Sequence, residues 1–224
     1  MKTSKKVALI LVMLALFLIT VSSTASAATL NVGPKEEYKT IQSAVNAAQD
    51  GDTIKVAYDT YNENVEINKG ELTFLGTEYP NVDGFNFKGG SGEINGFTIQ
   101  KDGVSTDYAG GGIIRNNYFY NCGISLNGLT GGATIINNQI TNGSISLYDT
   151  RKENITGNTI SNSSIGLYVG DLAWIPTVTN NTFKNCDTAV YLYGWEQDPG
   201  RLPSFSGNKY INNKVNIGWG TKPF

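Results

Sequence analysis

Histidine is absent from the 224 residues, and both methionines, Met1 and Met13, fall within the first stretch of the chain. Imidazole acid–base chemistry is thereby excluded, and so are the usual imidazole and thioether ligands for copper or zinc. Cysteine is limited to Cys122 and Cys186, and charged residues make up only 16% of the chain. No basic cluster appears, which argues against nucleic acid or an anionic membrane surface as partner. Glycine reaches 26 residues and asparagine is abundant. Few charges with many Gly and Asn suit a turn-rich β protein better than a helical one.

Residues 1–27 have the form of a secretory signal. Lys2, Lys5 and Lys6 precede an apolar run from Val7 to Ile19, and Ala25-Ser26-Ala27 offers a small-residue cleavage site. A membrane anchor is the competing reading, but the run is shorter than the roughly 20 residues a spanning helix needs. Residues 28–224 are then expected to form one secreted domain, extracellular or at the cell surface, with no membrane insertion. Without the three signal lysines the chain carries 14 basic and 19 acidic residues, a net charge of −5.

A repeat dominates this domain. Asn-x-apolar-x-Asn occurs as Asn117–Asn121, Asn138–Asn142, Asn158–Asn162, Asn181–Asn185 and Asn208–Asn212, with starts 21, 20, 23 and 27 residues apart. Each unit is followed by an apolar pair at alternate positions: Ile124/Leu126, Ile145/Leu147, Ile165/Leu167, Val190/Leu192 and Val215/Ile217. Alternate residues share one face of a strand, so each pair is expected to point inward. No stretch between the strands is long enough for a helix. The pattern predicts an all-β, right-handed parallel β-helix whose coils run strand, turn, strand, turn. The competing fold of this period, a leucine-rich repeat, needs a helical or 3₁₀ return segment for which there is no candidate. Asn117, Asn138, Asn158, Asn181 and Asn208 should form a structural ladder of stacked amides, in a turn where Asn tolerates left-handed backbone.

Upstream, Ile41, Ala44, Val45 and Ala48 recur at helical spacing, with Thr40 as N-cap and Gly51 as C-cap. One helix over about residues 40–50, after a first strand at Thr29–Val32, is expected to lid the apolar end of coils running from about 53 to 217. Ile94-Asn-Gly96-Phe97-Thr-Ile99 fits one period before the first full repeat, with glycine where later units carry Asn. Cys122 and Cys186 each follow the second Asn of a unit, three coils apart. That is roughly 14 Å at the usual strand spacing, so both are expected to be free thiols.

Thr40-Ile-Gln-Ser-Ala-Val-Asn-Ala-Ala-Gln-Asp-Gly-Asp-Thr-Ile-Lys-Val56 and Tyr61-Asn-Glu-Asn-Val-Glu-Ile67 resemble the opening of many pectin-lyase-like β-helix proteins, pectin methylesterases among them. The Asn-rich coils resemble the β-helix domain of copper-associated periplasmic proteins and of archaeal surface proteins. The resemblance spans nearly all of residues 28–224 and implies the fold. That superfamily holds lyases, hydrolases, esterases and non-catalytic adhesins, so it does not imply one activity. The Gly-x-x-Asp-Phe-Ile-Phe-Gly and Gly-Arg-Pro-Trp stretches of the methylesterases are missing, and copper has no His or Met to bind.

Aligned by repeat, Tyr148, Tyr168 and Tyr193 each follow an inward Leu and are expected to project outward in one column. Asp149 and Arg151 follow the first ring. The longest loops follow the others and carry Asp171 and Trp174, then Trp195. Aromatic surfaces with a few carboxylates and an Arg suit a polysaccharide or other glycan, although stacked tyrosines also stabilise a sheet without binding anything. The expected function is a non-catalytic β-helix contacting glycans or cell-envelope polysaccharide, with no cofactor. A small polysaccharide lyase or hydrolase is the second reading. It would draw on Asp149, Asp171 and Asp187 as acids and Arg151, Lys152 and Arg201 as bases, with Ca²⁺ only in the lyase case. The third reading is a scaffold that assembles through its coil ends. Four sequons, at Asn142, Asn154, Asn162 and Asn180, add possible glycosylation sites, with ladder duty expected to prevail at Asn142 and Asn162.

Overall fold

The structure is a computed structural model and describes residues 26–107, 111–128, 132–170, 172–194 and 203–220. The signal segment therefore lies almost wholly outside the described residues. No helix among the described residues is long and apolar enough to cross a membrane.

The chain winds as a parallel β-solenoid. Among the described residues one sheet stacks nine strands, from Thr29–Val32, Thr53–Val56, Leu72–Gly76 and Gly92–Asn95 up to Thr177–Thr179 and Ser204–Ser206. Its central column reads Leu30, Ile54, Phe74, Ile94, Ile114, Ile135, Ile155, Val178 and Phe205, each in register with the next. From Ile54 to Val178 these side chains are essentially fully buried, and each is worth about 2 kcal/mol relative to exposure.

The remaining strands form the other walls. In the early coils one long strand makes the return: Thr60–Ile67, Asn81–Lys88, then Thr98–Asp107. After Thr98–Asp107 it divides, and Tyr118–Tyr120 and Ile124–Asn127 both pair with it. The bend falls at Lys101 and Gly103, with φ of 69° and 73°. A Cβ on Gly103 would lie 2.2 Å from the Gly123 carbonyl oxygen, so only glycine fits that corner. Later coils thus have three strands, not the two expected from the repeat. The overlooked strands are the short triplets around Ile114, Ile135, Ile155 and Val178, each centred on one apolar residue just before its ladder Asn.

The helix α1 (Ile41–Ala47) covers the first coils with Ile41, Ala44 and Val45. Thr40 caps it as expected, accepting from the Ser43 N–H at 3.2 Å. Glu63 of the coil beneath accepts the N–H groups of Ile41 and Gln42 at 3.0 and 2.9 Å. At the other end the Lys69 ammonium donates to the Asn46 and Ala48 carbonyls. An acid at the N-terminus and a cation at the C-terminus both oppose the helix dipole. The C-terminal boundary differs from expectation. Ala48 leaves in an extended conformation, and Gly51, at φ 89°, serves the turn into the next strand. The Asp52 carboxylate accepts from Gln49 N–H at 2.8 Å and Ala28 N–H at 2.7 Å, which holds its pKa below the usual value.

The ladder runs through the first turn of five coils. Asn138 Oδ1 accepts both the backbone N–H and the Nδ2 of Asn117, at 3.0 and 3.1 Å. Asn158, Asn181 and Asn208 repeat this with the coil before each. Each Nδ2 also reaches a strand carbonyl of the preceding coil: Ile94, Ile114, Ile135, Ile155 and Val178 in turn. Phe97 occupies the ladder position one coil earlier, and its N–H donates to Asn117 Oδ1 at 2.9 Å. Gly96 instead aligns with Asn116. The left-handed backbone lies on the neighbours of the ladder: Asn116, Asn137 and Asn180 before it, and Asn121, Asn142, Asn162, Asn185 and Asn212 after it. Ladder chemistry and left-handed backbone are thus carried by different asparagines, one residue before the ladder position or four residues after it.

Asn158→Ala should be severe. It orphans the Asn138 N–H in a buried turn, at about 1–3 kcal/mol, and strips one further hydrogen bond each from Asn138 Nδ2, which keeps only the Ile114 carbonyl, and from the Ile135 carbonyl, at about 1 kcal/mol each. A fall in the urea midpoint amounting to about 3 kcal/mol or more is expected, and a shift within 0.5 kcal/mol of wild type contradicts the ladder's energetic role. Both thiols are buried and free, and burial pushes Cys122 up to about 11. Titration with a thiol reagent should count two groups in the denatured, unreduced protein and almost none in the native one.

Candidate functional site

Strand register revises the tyrosine column. Ile145 pairs with Leu167, Ser146 with Tyr168 and Leu147 with Val169. In the next coil Leu167, Tyr168 and Val169 meet Val190, Tyr191 and Leu192. The inward pairs there are therefore Leu167/Val169 and, in the last coil, Ile217/Trp219, not Ile165/Leu167 and Val215/Ile217. The cause is a longer second turn. Two residues lie between Asn142 and the first inward Ile145, whereas four lie between Asn162 and Leu167 and between Asn185 and Val190.

Tyr148 and Tyr193 thus share one column, with Gly170 between them, while Tyr168 and Tyr191 occupy the column two residues earlier. The rings nevertheless come together. Gly170 presents no side chain, and the Tyr168 and Tyr148 rings close over it: a Cβ there would lie 3.5 Å from Tyr168 Cε1 and 3.8 Å from Tyr148 Cδ1. The Tyr168 centroid lies 5.1 Å from Tyr148, 6.0 Å from Tyr191 and 6.3 Å from Tyr193, with interplanar angles of 34°, 20° and 26°. Tyr191 is a member of this patch that repeat alignment missed. Its outward position is visible in the alternation of Thr188–Tyr193 once the longer turn is counted. Tyr148 is 43% exposed and the other three are half-buried. Rings stacked this way share faces, so the patch meets solvent chiefly through ring edges and phenolic hydroxyls.

Beyond Tyr148 the chain turns at Asp149, which is exposed with φ 40°. Arg151 lies over the Trp174 ring at 5.5 Å. The two loops are laced by Trp174 N–H to the Thr150 carbonyl and Lys152 N–H to the Trp174 carbonyl, at 2.8 and 2.9 Å. Tyr148, Asp149, Arg151, Tyr168, Trp174 and Tyr193 therefore fall along one edge of the solenoid. Asp171 and Trp195 lie outside the described residues, as does Arg201.

The three aspartates of the catalytic alternative do not converge as far as they are described. Asp149 follows the end of its strand, whereas Asp187 precedes its own and pairs with Lys214 at 2.7 Å. No group of three or more His, Cys, Asp or Glu suited to a metal ion occurs among the described residues.

One ionisable group went unnoticed in the sequence. Glu153 and Thr150 are wholly buried, and among the described residues no hydrogen bond of ordinary geometry reaches the Glu153 carboxyl oxygens or the Thr150 hydroxyl, although the Thr150 side chain and the Arg151 and Glu153 backbone lie close enough to favour the carboxylate weakly. Glu153 stands just before its sheet strand, where neighbouring coils place Ala133, Pro176 and Pro203. A carboxyl in a column of Ala and Pro was the signal available. Burial raises its pKa above the ordinary 4.5.

The continuous inward columns, the buried Asn ladder and the lidding helix define a parallel β-solenoid. The family model described as "Right handed beta helix region" matches residues 83–222, and the chain belongs to that family. Among curated protein sequences none matches. Two solved structures of the pectin methylesterase from Aspergillus niger are similar, in its deglycosylated form and in a penultimately deglycosylated form. Each is 16% identical and the match covers 85% of this chain and 86% of that one, with TM-scores of 0.47 and 0.46.

Glu153→Gln tests the buried carboxyl. Below pH 4.5 the group is neutral whether folded or unfolded. As pH rises, the unfolded chain gains by ionising while the buried carboxyl resists, so this group lowers stability progressively until the pH passes its folded pKa. Melting temperatures of wild type and Glu153→Gln should therefore diverge in favour of the variant between pH 4 and pH 7. A difference independent of pH contradicts a buried, raised carboxyl.

Proposed function

We propose that this β-helix is a secreted or cell-surface protein that contacts glycan or cell-envelope polysaccharide without catalysis. The observation that carries the reading is the patch of Tyr148, Tyr168, Tyr191 and Tyr193, four rings and four hydroxyls fixed on a rigid sheet beside Arg151 and Trp174. Rigid aromatic groups lose little entropy on binding, and hydroxyls and guanidinium groups suit the hydrogen-bonding demands of a sugar polymer. The signal-like residues 1–27 support export. Asp149 and the Lys214-paired Asp187 at opposite strand ends weigh against the lyase or hydrolase reading, and no cofactor enters the proposal.

Tyr168 is the central ring, and removing it should both weaken retention and cost about 1–2 kcal/mol of stability through its ring contacts. Tyr148→Ala separates the two effects, because that ring is at the exposed end. Affinity electrophoresis through gels containing a panel of plant and bacterial polysaccharides should show retardation of the wild type by at least one polymer. Tyr148→Ala should lose most of that retardation with little change in melting temperature. Release of unsaturated or reducing sugars from the retarding polymer would favour the enzyme reading, and unchanged retardation of both variants would remove the tyrosine face from the account.

A further inference from the structure

The turn before the tyrosine sheet carries an outer row of asparagine amides. Asn142 Nδ2 donates to Asn121 Oδ1 at 3.0 Å, and Asn185 Nδ2 donates to Asn162 Oδ1 at 3.2 Å. Between Asn142 and Asn162 the row breaks, although the backbone stack continues through Asn142 N–H to the Ser161 carbonyl and Asn162 N–H to the Lys184 carbonyl, both at 3.0 Å. The break coincides with the coil at which the turn gains two residues. A groove of about 480 Å³ opens there, lined by Asn142, Ser144, Asn162, Ser164 and Ile165 among others.

The interrupted row leaves a matched pair. Among the described residues, Asn142 has committed its Nδ2 and keeps its Oδ1 as an acceptor, and Asn162 has committed its Oδ1 and keeps its Nδ2 as a donor. A hydroxyl both donates and accepts, so a sugar ring with neighbouring hydroxyls can restore the row across the gap. The lining holds no ionisable side chain, so a carboxylate or phosphate on the ligand would find no counter-charge. Half-buried Ile165 offers apolar surface to the ring's C–H groups.

The groove also leads to the tyrosine patch. Ser144 and Ser146 lie on the same outward face, their hydroxyls 3.4 Å apart, and Tyr148 follows two residues on. Ser144 to Tyr148 spans about 13 Å along the strand, enough for a polymer to engage both. We infer that the groove is a subsite for an uncharged sugar unit and that it continues the tyrosine face. The inference rests on the glycan-contact reading for the polymer it names, but its residues are separate.

Two variants test it. Asn162→Gly keeps a left-handed backbone and removes the free donor; Ser164→Trp fills the groove from an exposed position. Calorimetric titration with neutral hexaoses of glucose and of mannose, and with an acidic trigalacturonate, should show a neutral hexaose binding the wild type. Both groove variants should weaken it tenfold or more with the melting temperature retained, and trigalacturonate should bind no better than it does to the variants. Loss of hexaose binding in Tyr148→Ala but not in the groove variants overturns this inference and leaves the tyrosine face standing. Loss in the groove variants alone upholds the subsite and overturns the tyrosine reading. Preference for trigalacturonate, or no binding of either neutral hexaose at millimolar concentration, overturns the subsite.

Discussion

A buried primary amide is costly unless both of its halves are bonded, and the Asn ladder meets that requirement only by joining one coil to the next. Each ladder carbonyl receives two N–H groups from the coil before it, and each Nδ2 returns to a strand carbonyl of that coil. The interaction cannot form within a single coil. It therefore penalises any slip between coils, because moving one coil by a residue would bury an orphaned amide and turn the apolar column outward as well. The apolar columns drive the stack together, and the ladder fixes where each coil must sit.

With the first turn fixed, variation is displaced to the other turns. The second turn lengthens by two residues from the Asn158 coil onward without disturbing the ladder or the central column. That lengthening moves Tyr168 away from the Tyr148 column, places Tyr191 above it and opens the groove at Asn142 and Asn162. Gly170 then makes room for the displaced ring. The tyrosine patch and the groove are consequences of one insertion in a scaffold held elsewhere. At the far end the same columns lose their cover: Ile217 and Trp219 are 38% and 49% exposed in the last described coil, where nothing among the described residues stacks above them.

Much of this was legible in the sequence, and the reasons are physical. The ladder positions were readable because only Asn supplies both an amide donor and an acceptor at that length, and it recurs at each coil. The lidding helix was readable from its apolar spacing and its Thr40 cap. The third strand of each coil was not, because three residues with one apolar centre give too little periodicity to stand out. The tyrosine patch was half legible. Its members were named from their position after an inward leucine, but a two-residue change in turn length shifts every later register without altering the strand pattern itself. Glu153 was missed because nothing local marks it; its burial follows from the coils above and below. The left-handed backbone expected of the repeat asparagines falls on the second Asn of each unit and not on the ladder Asn, because a side chain committed to the ladder leaves the turn conformation to other residues.

The central claim is that the ladder amides are buried, fully bonded and responsible for coil register. Solvent exchange of side-chain amide protons, followed residue by residue by NMR, tests it most directly. The Nδ2 protons of Asn117, Asn138 and Asn158 should be strongly protected, and those of Asn208, at the exposed end of the row, should exchange faster. Uniformly fast exchange across all of them, at the rate of surface amides, would contradict the account.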